Sequence, residues 1–580
     1  MSDAASVPLR LWPGFLLVAL QWIIRYAVPL AFPEAILFAV LGGVACGVGV
    51  VVWWAFLSRA PKLERWGGLL LMIAVAVLTR PFLDPSIAGG MMGLLFPIYL
   101  IPILSLALVL WAAATRGLMP TARRVALLST VLLACGGFTV LRTEGMTGQS
   151  RSEFVWRWSP TKEQLLARIV LPPPPPAATP AVETPAVAPA PAPVVTPPPA
   201  EWPGFRGPNR DSIVPGTAIA TDWSNRKPAE LWRKPIGPGW SSFAVAGDRL
   251  YTQEQRGEEE IVSCYDANTG EPIWIHRDQA RFWESNAGAG PRGTPTLHEG
   301  RVYAFGATGI LNALDAKTGA RIWFRNVAND TETKIPGWGF SSSPLVVEDT
   351  VIVAAGGQLA AYDRMNGKPR WQGPKSGSGY SSPHLYTAGG STQVVLQSSQ
   401  AIHAVDPRDG RLLWRHEWPP NGPIVQPAVL DKDLLITGGD GTGMQRLALS
   451  QTANDWKIEQ RWTTMGLKPN FNDYVAHNNH VYGFDNSILA CIDANDGQRK
   501  WKGGRYGQGQ LLLLRDQNLL LVLSEEGEIA LVKAEPDAFS EVARMPVLDG
   551  KTWNHPVLVG DRLYIRNGSE MAALRLGAKP

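Results

Sequence analysis

Cysteine is scarce in this sequence, with 4 among 580 residues, and no two form a CxxC pair. Cys46 and Cys135 fall in apolar runs, whereas Cys264 and Cys491 occupy matching places in two distant repeats. Disulfide frameworks and zinc sites both need suitably spaced cysteines. Neither is expected, and all four residues are interpreted as buried free thiols. The histidines show no metal-ligand spacing either, so no metal site is predicted.

A basic excess is also lacking. The net charge is only +4, and the first 200 residues hold 14 Lys/Arg against 8 Asp/Glu, which leaves 40 against 42 beyond them. Binding to a phosphate backbone requires a stripe of clustered Lys and Arg. The region after residue 200 contains no such stripe. A nucleic-acid partner is therefore not expected.

Long hydrophobic runs, in contrast, are present near the N-terminus. Five apolar stretches are long enough to cross a bilayer. They cover residues 9–32, 34–57, 67–83, 88–114 and 125–142. The first is too long for a cleaved signal peptide and lacks a small-residue cleavage site, so it is interpreted as a retained helix. Residues 1–142 are predicted to form an integral membrane domain of about five helices.

The charges between these stretches predict an orientation. Arg59, Lys62 and Arg65 lie between the second and third stretches. A second group, 116–124, lies between the fourth and fifth and contributes Arg116, Arg123 and Arg124. Because basic loops stay in the cytoplasm, the chain after Arg142 is expected on the outer side. In a Gram-negative cell this arrangement predicts an inner-membrane protein with its C-terminal domain in the periplasm.

Composition then divides the rest of the chain into three parts. Residues 143–170 are a juxtamembrane segment. Residues 171–200 contain 13 prolines and are predicted to be a semi-rigid linker with no packed core. Residues 201–580 consist of short apolar runs broken by Gly, Asp and Asn, which is typical of an all-β domain.

The all-β part contains a repeat of the form D-x-x-x-G-x-x-x-W. Its five copies are Asp266, Gly270 and Trp274; Asp315, Gly319 and Trp323; Asp363, Gly367 and Trp371; Asp406, Gly410 and Trp414; and Asp493, Gly497 and Trp501. The Asp positions are 49, 48, 43 and 87 residues apart, so one unit lacks its markers. That unit is expected at residues 446–462, where Trp462 remains.

Each marker of the repeat has a structural reason. Aspartate caps the turn, glycine supplies positive φ, and tryptophan wedges between neighbouring blades. All fifteen marker residues are therefore interpreted as structural residues that dock one blade onto the next, without a catalytic or ligand-binding role.

Periods of 40 to 50 residues with several short strands predict a β-propeller of four-stranded blades. Eight units are expected to begin near Ser241, Thr294, Ser341, Ser381, Val425, Asp473, Gln510 and Asn554. The eighth lacks an outer strand. Residues 230–237 are predicted to supply that strand and so to close the ring.

The copies "DANTGEPIW" (266–274) and "DAKTGARIW" (315–323) resemble the tryptophan-docking motif of the pyrroloquinoline-quinone-like (PQQ-like) β-propellers. The resemblance covers roughly residues 202–576 and implies two branches. One is the quinoprotein alcohol and glucose dehydrogenases. The other is non-catalytic, and includes the lipoprotein of the outer-membrane β-barrel assembly machine. Five membrane helices before the propeller are similar to the layout of membrane-bound quinoprotein glucose dehydrogenase.

Three departures from the enzyme branch favour a binding or scaffold module in the envelope. There is no adjacent Cys-Cys pair, about 375 residues leave no room for long insertions, and the Glu/Asn calcium set with its Asp base has no matching positions. The alternative is a PQQ-dependent dehydrogenase that oxidises sugars or alcohols and passes electrons to membrane quinone. PQQ with calcium would be its cofactor.

A candidate ligand site is expected where the loops that enter the innermost strands converge. These loops are rich in aromatic and polar residues. The candidates are Trp240, Ser242, Arg292, Thr294, Trp338, Ser343, Tyr380, Ser382, His384, Gln426, Asn472, Gln510 and Asn554, with Asp473 and His555 as candidate proton acceptors. Aromatic rings are suited to stacking on a planar ligand and arginine to holding a carboxylate. The expected partner is an envelope protein or a small polar ligand, while the competing interpretation is that these residues only line the channel.

Overall fold

The computed structural model describes residues 9–32, 35–148, 151–166, 200–417, 424–438, 441–452 and 455–577. It divides into two compact units, one within Met1–Pro160 together with Glu284–Gly288, and the other within Thr161–Trp283 and Ala289–Pro580. The predicted linker, 171–200, lies outside the described residues except for Ala200.

The first unit has five helices that are long and apolar enough to cross a membrane. They cover Trp12–Ala31, Ile36–Leu57, Lys62–Phe82, Leu95–Ala114 and Pro120–Val140. The third and fifth begin five residues before their predicted starts, so Lys62, Arg65, Arg123 and Arg124 lie in helical turns rather than in loops. The fourth begins later, because Pro85–Gly89 and Gly90–Gly93 form separate short helical turns with positive φ at Met91 and Met92. Strands Leu141–Met146 and Ser152–Trp156 pair after the last helix.

Two buried arginines of the helical unit contact side chains that offset the cost of their charge. Arg123 lies 3.0 Å from Glu64, which ties the fifth helix to the third, and both side chains are buried. The guanidinium of Arg25 lies 5.1 Å from the ring centroids of Tyr26 and of Tyr99. Ionisable groups in a bilayer are costly unless they are paired, so these contacts lower the cost of placing arginine in apolar helices.

The second unit is an eight-bladed β-propeller, as predicted. Each blade contains four antiparallel strands that run from the channel outwards. Blades 1 to 4 consist of Ala244–Ala246, Arg249–Arg256, Glu259–Asp266 and Pro272–Asp278; Thr296–His298, Arg301–Phe305, Ile310–Asp315 and Arg321–Asn326; Leu345–Val347, Thr350–Ala355, Gln358–Asp363 and Pro369–Gln372; His384–Ala388, Ser391–Gln397, Ala401–Val405 and Leu412–Glu417.

Blades 5 to 8 continue the same plan. They consist of Ala428–Leu430, Asp433–Thr437, Met444–Gln451 and Trp456–Thr464; Val475–His477, His480–Asp485, Ile488–Asp493 and Arg499–Arg505; Gln510–Leu514, Leu519–Leu523, Glu528–Lys533 and Glu541–Pro546; Val557–Val559, Arg562–Arg566, Glu570–Arg575 and Ala229–Pro235. Strand Ile213–Val214 pairs with Gln510–Leu514 and makes blade 7 five-stranded. Short elements outside the blades are helices Lys162–Leu166 and Val327–Asp330, the turn Arg515–Gln517, and strands Trp283–Glu284 and Gly288–Ala289.

The ring closes with a strand from the N-terminal side of blade 1, as the unpaired eighth unit predicts. Ala229–Pro235 pairs with Glu570–Arg575, and Trp232 lies opposite Ala573. Arg566, which is fully buried, joins blade 8 to blade 1 by donating to Thr252 Oγ1 at 2.7 Å and to the Gln253 carbonyl at 2.9 Å. This seam removes the open edge of the sheet ring.

Blades dock through the tryptophan of one repeat and the turn of the next. Trp274 donates its indole N–H to the Ala316 carbonyl at 3.1 Å, and its ring covers Gly319. Gly319 has φ +74°, and a Cβ there would overlap the Trp274 ring. Glycine is required at this position for two reasons, the left-handed backbone and the space taken by the ring.

The other copies of the repeat use the same contacts. Every marker glycine has positive φ; the values are +71° at Gly270, +74° at Gly319, +72° at Gly367, +73° at Gly410 and +74° at Gly497. Every marker aspartate accepts from the backbone N–H two residues after it, namely Asp266, Asp315, Asp363, Asp406 and Asp493. The aspartates and glycines thus shape the turn on which the preceding tryptophan docks.

Most marker tryptophans donate to the turn of the next blade. The indole N–H of Trp323 donates to the Arg364 carbonyl at 3.0 Å, that of Trp371 to the Pro407 carbonyl at 2.9 Å, and that of Trp501 to the Glu535 carbonyl at 2.8 Å. The Trp323 and Trp371 rings lie over Gly367 and Gly410. Trp414 departs from this pattern.

Blade 5, the unit without markers, is present where the spacing predicts it. Trp462 donates to the Ala494 carbonyl at 2.8 Å, as the tryptophans of the regular units do. The missing markers affect blade 4 instead. Its tryptophan, Trp414, would dock on the turn between the third and fourth strands of blade 5, and that turn lacks the marker Asp and Gly. Trp414 donates instead to Gln393 Oε1 within its own blade at 2.6 Å.

A buried histidine in blade 4 makes folding sensitive to acid. His403 is 0% exposed, and neither ring nitrogen has a hydrogen-bond partner among the described residues. Burial, with a smaller effect from Arg415, lowers the pKa of His403 to about 4. In the unfolded chain His403 is protonated below about pH 6.5, whereas in the folded protein it is protonated only below about pH 4. Stability is therefore lost as the pH falls through this window.

We expect the titration of His403 to lower the free energy of unfolding by about 2 kcal/mol when the pH falls from about 7 to about 5. His403→Phe should remove that part of the pH dependence, because an aromatic ring is kept and the proton site is lost. The measurement is the urea midpoint of the propeller transition at both pH values. An unchanged pH slope in the variant would assign the acid sensitivity to other groups.

Candidate functional site: the channel ring

Small side chains at the start of the innermost strands link the first four blades. The backbone N–H of Ser242 donates to Thr294 Oγ1, that of Thr294 to Ser343 Oγ, and that of Ser343 to Ser382 Oγ, each at 2.9 Å. All four residues are buried. The hydroxyls of Thr294, Ser343 and Ser382 therefore each satisfy a backbone donor of the neighbouring blade, and the Ser242 hydroxyl donates to the His555 carbonyl. Four of the predicted ligand residues thus hold the ring together.

Amide side chains do the same in the other half of the ring. Gln426 donates to the Pro383 carbonyl at 3.0 Å, and Asn554 donates to the Ser241 carbonyl at 2.8 Å. Gln510 accepts from the Asp473 N–H at 3.2 Å. Asn472 is buried and accepts from the Asn470 N–H at 3.0 Å within its own loop. These contacts fix the positions of blades 5 to 8 around the channel.

Asp473 and His555, the predicted proton acceptors, lie in contact with each other. His555 Nε2 is 3.0 Å from Asp473 Oδ2, and Arg206 Nε is 3.2 Å from the same oxygen. Ser212 Oγ completes the group at 3.0 Å from His555 Nε2. Asp473, His555, Arg206 and Ser212 are between 0% and 4% exposed.

The group has the residue types of a catalytic triad but not its geometry. A triad needs one imidazole nitrogen for the carboxylate and the other for the serine. Here His555 Nε2 faces both Asp473 and Ser212, while Nδ1 lies 2.9 Å from the Pro556 carbonyl. The full enclosure of Ser212 also leaves no approach for a substrate. The arrangement is a buried ion pair with hydrogen-bonded neighbours.

The charge of Asp473 is maintained by this group. Burial raises the pKa of the carboxyl, but Arg206 and then His555 and Ser212 lower it, and the net position is below the ordinary value. Asp473 is therefore ionised and paired at neutral pH. A group in this state is a poor proton acceptor at neutral pH.

Arg206 and Ser212 belong to a stretch that crosses the channel, residues 202–214, which we call the channel segment. Trp202 pairs with Val245 of blade 1, and Pro203 accepts from Leu297 of blade 2 at 2.7 Å. At its other end the channel segment pairs with blade 7 at Leu513. These contacts carry the segment across the channel from blades 1 and 2 to blade 7.

This segment is not predicted as part of the site, because "WPGFRGPNRDSIV" (202–214) lies outside the repeat and its arginines suggest a solvated loop. Its backbone is unusual, with φ +64° at Arg206, +57° at Arg210 and +63° at Ser212. Left-handed non-glycine residues persist where their surroundings hold them in place. The density of Arg, Gly, Pro and Asn in so short a stretch was the available signal.

Arg210 and His384 occupy the side of the channel towards blades 3 and 4. Arg210 donates to the Ser343 carbonyl at 3.1 Å and to the Pro344 carbonyl at 2.9 Å. Burial, helped by Arg206, lowers the pKa of Arg210 to about 9. Burial and then the charges of Arg210 and Arg206 lower the pKa of His384 to about 3, so His384 is neutral.

The predicted aromatic residues form two groups at the mouth of the channel. Trp240 and Phe471 each lie 4.8 Å from Trp553, measured between ring centroids, and Lys551 Nζ is 4.3 Å from the Trp553 centroid. Trp338 and Tyr380 lie 5.1 Å apart.

Arg292 is next to the second group. It donates to the Trp338 carbonyl at 3.2 Å and lies 4.9 Å from the Phe282 ring. Trp338 is 46% exposed, in contrast to the buried polar ring beneath it.

The residues that line the channel do not form a site for calcium or for a quinone bound to calcium. Asp473 directs Oδ2 at a guanidinium and an imidazole, which compete with a cation for the same oxygen. Within the described ranges no group of three or more His, Cys, Asp and Glu is placed to hold a metal ion. The two propeller cysteines, Cys264 and Cys491, are buried in separate blades.

Comparison with known proteins agrees with the propeller fold. BamB of Yersinia pestis is 23% identical over 378 residues, which cover 60% of this chain and 89% of that protein. The quinohemoprotein alcohol dehydrogenase ADH-IIG of Pseudomonas putida is 31% identical over only 138 residues, or 18% of that enzyme. The crystal structure of ADHIIG from Pseudomonas putida HK5 superposes with a TM-score of 0.50 at 15% identity, covers 66% of this chain and 81% of its own, and shows the fold alone.

A family model described as "Outer membrane protein assembly factor BamB" matches residues 217–384 and 375–576, which together are more than half of the chain. This protein therefore belongs to the BamB family of PQQ-like β-propellers and carries five N-terminal helices that could span a membrane.

Proposed function

We propose that the protein is a membrane-anchored binding or scaffold module of the cell envelope, which presents the mouth of its propeller to a protein partner. The observation that carries this proposal is the contrast between the two layers of the channel. The polar ring uses its hydrogen-bonding groups on neighbouring blades and on the channel segment. The aromatic groups above it reach the surface, where Trp338 is 46% exposed.

The chemistry of the mouth favours a peptide or loop with acidic and apolar side chains. Exposed aromatic rings supply contact area at low entropic cost and are typical centres of binding surfaces. Cations accompany them, with Lys551 over Trp553 and Arg292 over Phe282. Membership of a family described as an outer membrane protein assembly factor supports a protein partner rather than a metabolite.

The proposed location is the inner membrane, with the propeller on the periplasmic side. The basic residues at the junction of the second and third helices and at that of the fourth and fifth support this orientation, since positive charge is retained in the cytoplasm. Each apolar helix is 20 to 22 residues long, which matches the thickness of a bilayer.

A quinoprotein dehydrogenase is the second candidate, favoured by the partial similarity to an alcohol dehydrogenase and by the helix-plus-propeller layout. The ion pair on Asp473 and the absence of adjacent cysteines from the sequence oppose it. Purified protein incubated with PQQ and Ca²⁺ should reduce no dye with sugars or alcohols. Turnover that is lost in Arg292→Ala or Asp473→Ala would establish the enzyme and overturn the scaffold proposal.

Site-specific photo-cross-linking in intact cells tests the binding surface. A photoreactive phenylalanine in place of Trp338 is expected to give a discrete adduct with an envelope protein, because this side chain lies in the proposed interface. The matched control is Val542, which is 41% exposed on the outer strand of blade 7 and away from the mouth. The adduct should be absent there.

Specificity is tested by a second substitution at the mouth. Tyr380→Ala, which removes the ring beside Trp338, should lower the yield of the adduct by about tenfold, or about 1.4 kcal/mol in binding. Equal adducts at positions 338 and 542, or no effect of Tyr380→Ala, would remove the mouth as the docking surface.

A further inference from the structure

The channel contains buried nitrogen atoms that have no acceptor. Arg206 Nη1, Arg210 Nε and His384 Nδ1 each lack a hydrogen-bond partner among the described residues. The three residues are 0%, 8% and 5% exposed. Buried polar groups in proteins are almost always satisfied, and the exceptions call for a missing partner. Several such atoms in one channel indicate one shared partner.

The charge of the channel is also unbalanced. Asp473 neutralises Arg206 at 3.2 Å. Arg210 has only the Ser343 and Pro344 carbonyls as acceptors, and no carboxylate of the described chain lies within ion-pair distance of it. The adjacent Asp211 is partly exposed and accepts from the Ile213 N–H instead. Because a buried charge needs a counterion, the missing partner should be negative.

Arg210 and His384 lie on the side of the channel towards blades 3 and 4, while Arg206 lies towards blade 6, where it pairs with Asp473. Arg210 binds the carbonyl of Ser343, whose N–H donates to Ser382 Oγ, two residues before His384. Besides burial, the charge of Arg210 and then that of Arg206 lower the pKa of His384. His384 stays neutral and so offers a hydrogen-bonding nitrogen.

We propose that Arg206, Arg210 and His384 form a binding site for one small inorganic anion, such as chloride, inside the propeller channel. The channel segment crosses the propeller at this level, and the three residues are at most 8% exposed, which suits a monatomic or similarly small ion. The anion accepts from the unfilled donors and balances Arg210. The site does not depend on the partner proposed for the mouth.

Halide-dependent stability tests the site on the full chain in detergent. At constant ionic strength, replacement of gluconate by chloride or bromide should raise the melting temperature of the propeller along a saturation curve, because an anion that binds only the folded state stabilises it. Arg210→Gln should abolish the saturable rise. Arg575→Gln, whose side chain is 50% exposed beside Asp561, is the control and should keep it.

Crystals of the unaltered chain soaked in bromide provide a second measurement if Arg210→Gln fails to fold. An anomalous peak is expected within hydrogen-bond distance of Arg206 Nη1 and Arg210 Nε. A melting temperature that is indifferent to halide, or a channel that holds water only, would overturn the anion site while leaving the binding function of the mouth untouched.

Discussion

Replacement of Arg206 by methionine is expected to lower the free energy of unfolding by about 3–5 kcal/mol. The guanidinium is fully buried and donates to the Tyr474 carbonyl at 2.9 Å as well as pairing with Asp473. Removal of one partner leaves a buried carboxylate without compensation. Methionine keeps the length of the side chain and carries the same left-handed backbone cost. The urea midpoint of the propeller transition measures the effect.

Two further variants separate charge from packing. Arg206→Met combined with Asp473→Leu removes both charges and should recover most of the loss, since the penalty arises from the unpaired ion. Arg233→Met is the surface control. Arg233 is 34% exposed and lies 2.8 Å from both Glu230 and Glu570, and its loss should cost at most about 1 kcal/mol. A double variant as unstable as the single one would show that packing, not charge, dominates.

Gly319→Ala is expected to destabilise the propeller by about 2–5 kcal/mol, as the sum of two costs. An alanine at φ +74° costs about 1–2 kcal/mol. The new methyl group would overlap the Trp274 ring, and the displacement of that ring costs about 1–3 kcal/mol more. The loss should appear in the thermal midpoint and in a changed near-ultraviolet signal from the tryptophans.

Gly216→Ala isolates the first of these costs. Gly216 has φ +70°, and no atom lies within 4 Å of the position that an alanine Cβ would occupy there. Its loss should therefore be about 1–2 kcal/mol. Equal effects at positions 216 and 319 would mean that the tryptophan ring yields freely, and that blade docking does not depend on the close contact with glycine.

The blades could be predicted from sequence because their markers act locally. Asp315 accepts from the Lys317 and Thr318 N–H groups within one turn, and Gly319 lies four residues after it. Such a constraint repeats wherever the turn repeats, so it leaves a period in the sequence. The unmarked unit was found by the same spacing, and the closing strand 229–235 by the missing partner of the last sheet.

The site was predictable only in part, because its contacts join residues far apart in the chain. Asp473 and His555 were both identified from their loops, and they lie 3.0 Å apart. Their partner Arg206 is 267 positions before Asp473, in a stretch with no repeat. No local pattern distinguishes a buried arginine from an exposed one. Trp414 shows the same limit, since its acceptor, Gln393, follows from a change in the next blade.

The pairing of the first and last strands also determines when the ring can close during synthesis. Arg233 and Glu570, which lie on the two strands of the seam and contact each other, are 337 positions apart. At a translation rate of about 5–20 residues per second, roughly 17–70 s pass between the emergence of the first strand and that of its partner. Throughout that interval the strand around Trp232 has an open edge and blade 1 lacks one neighbour. The ring can therefore close only after the last blade has been made.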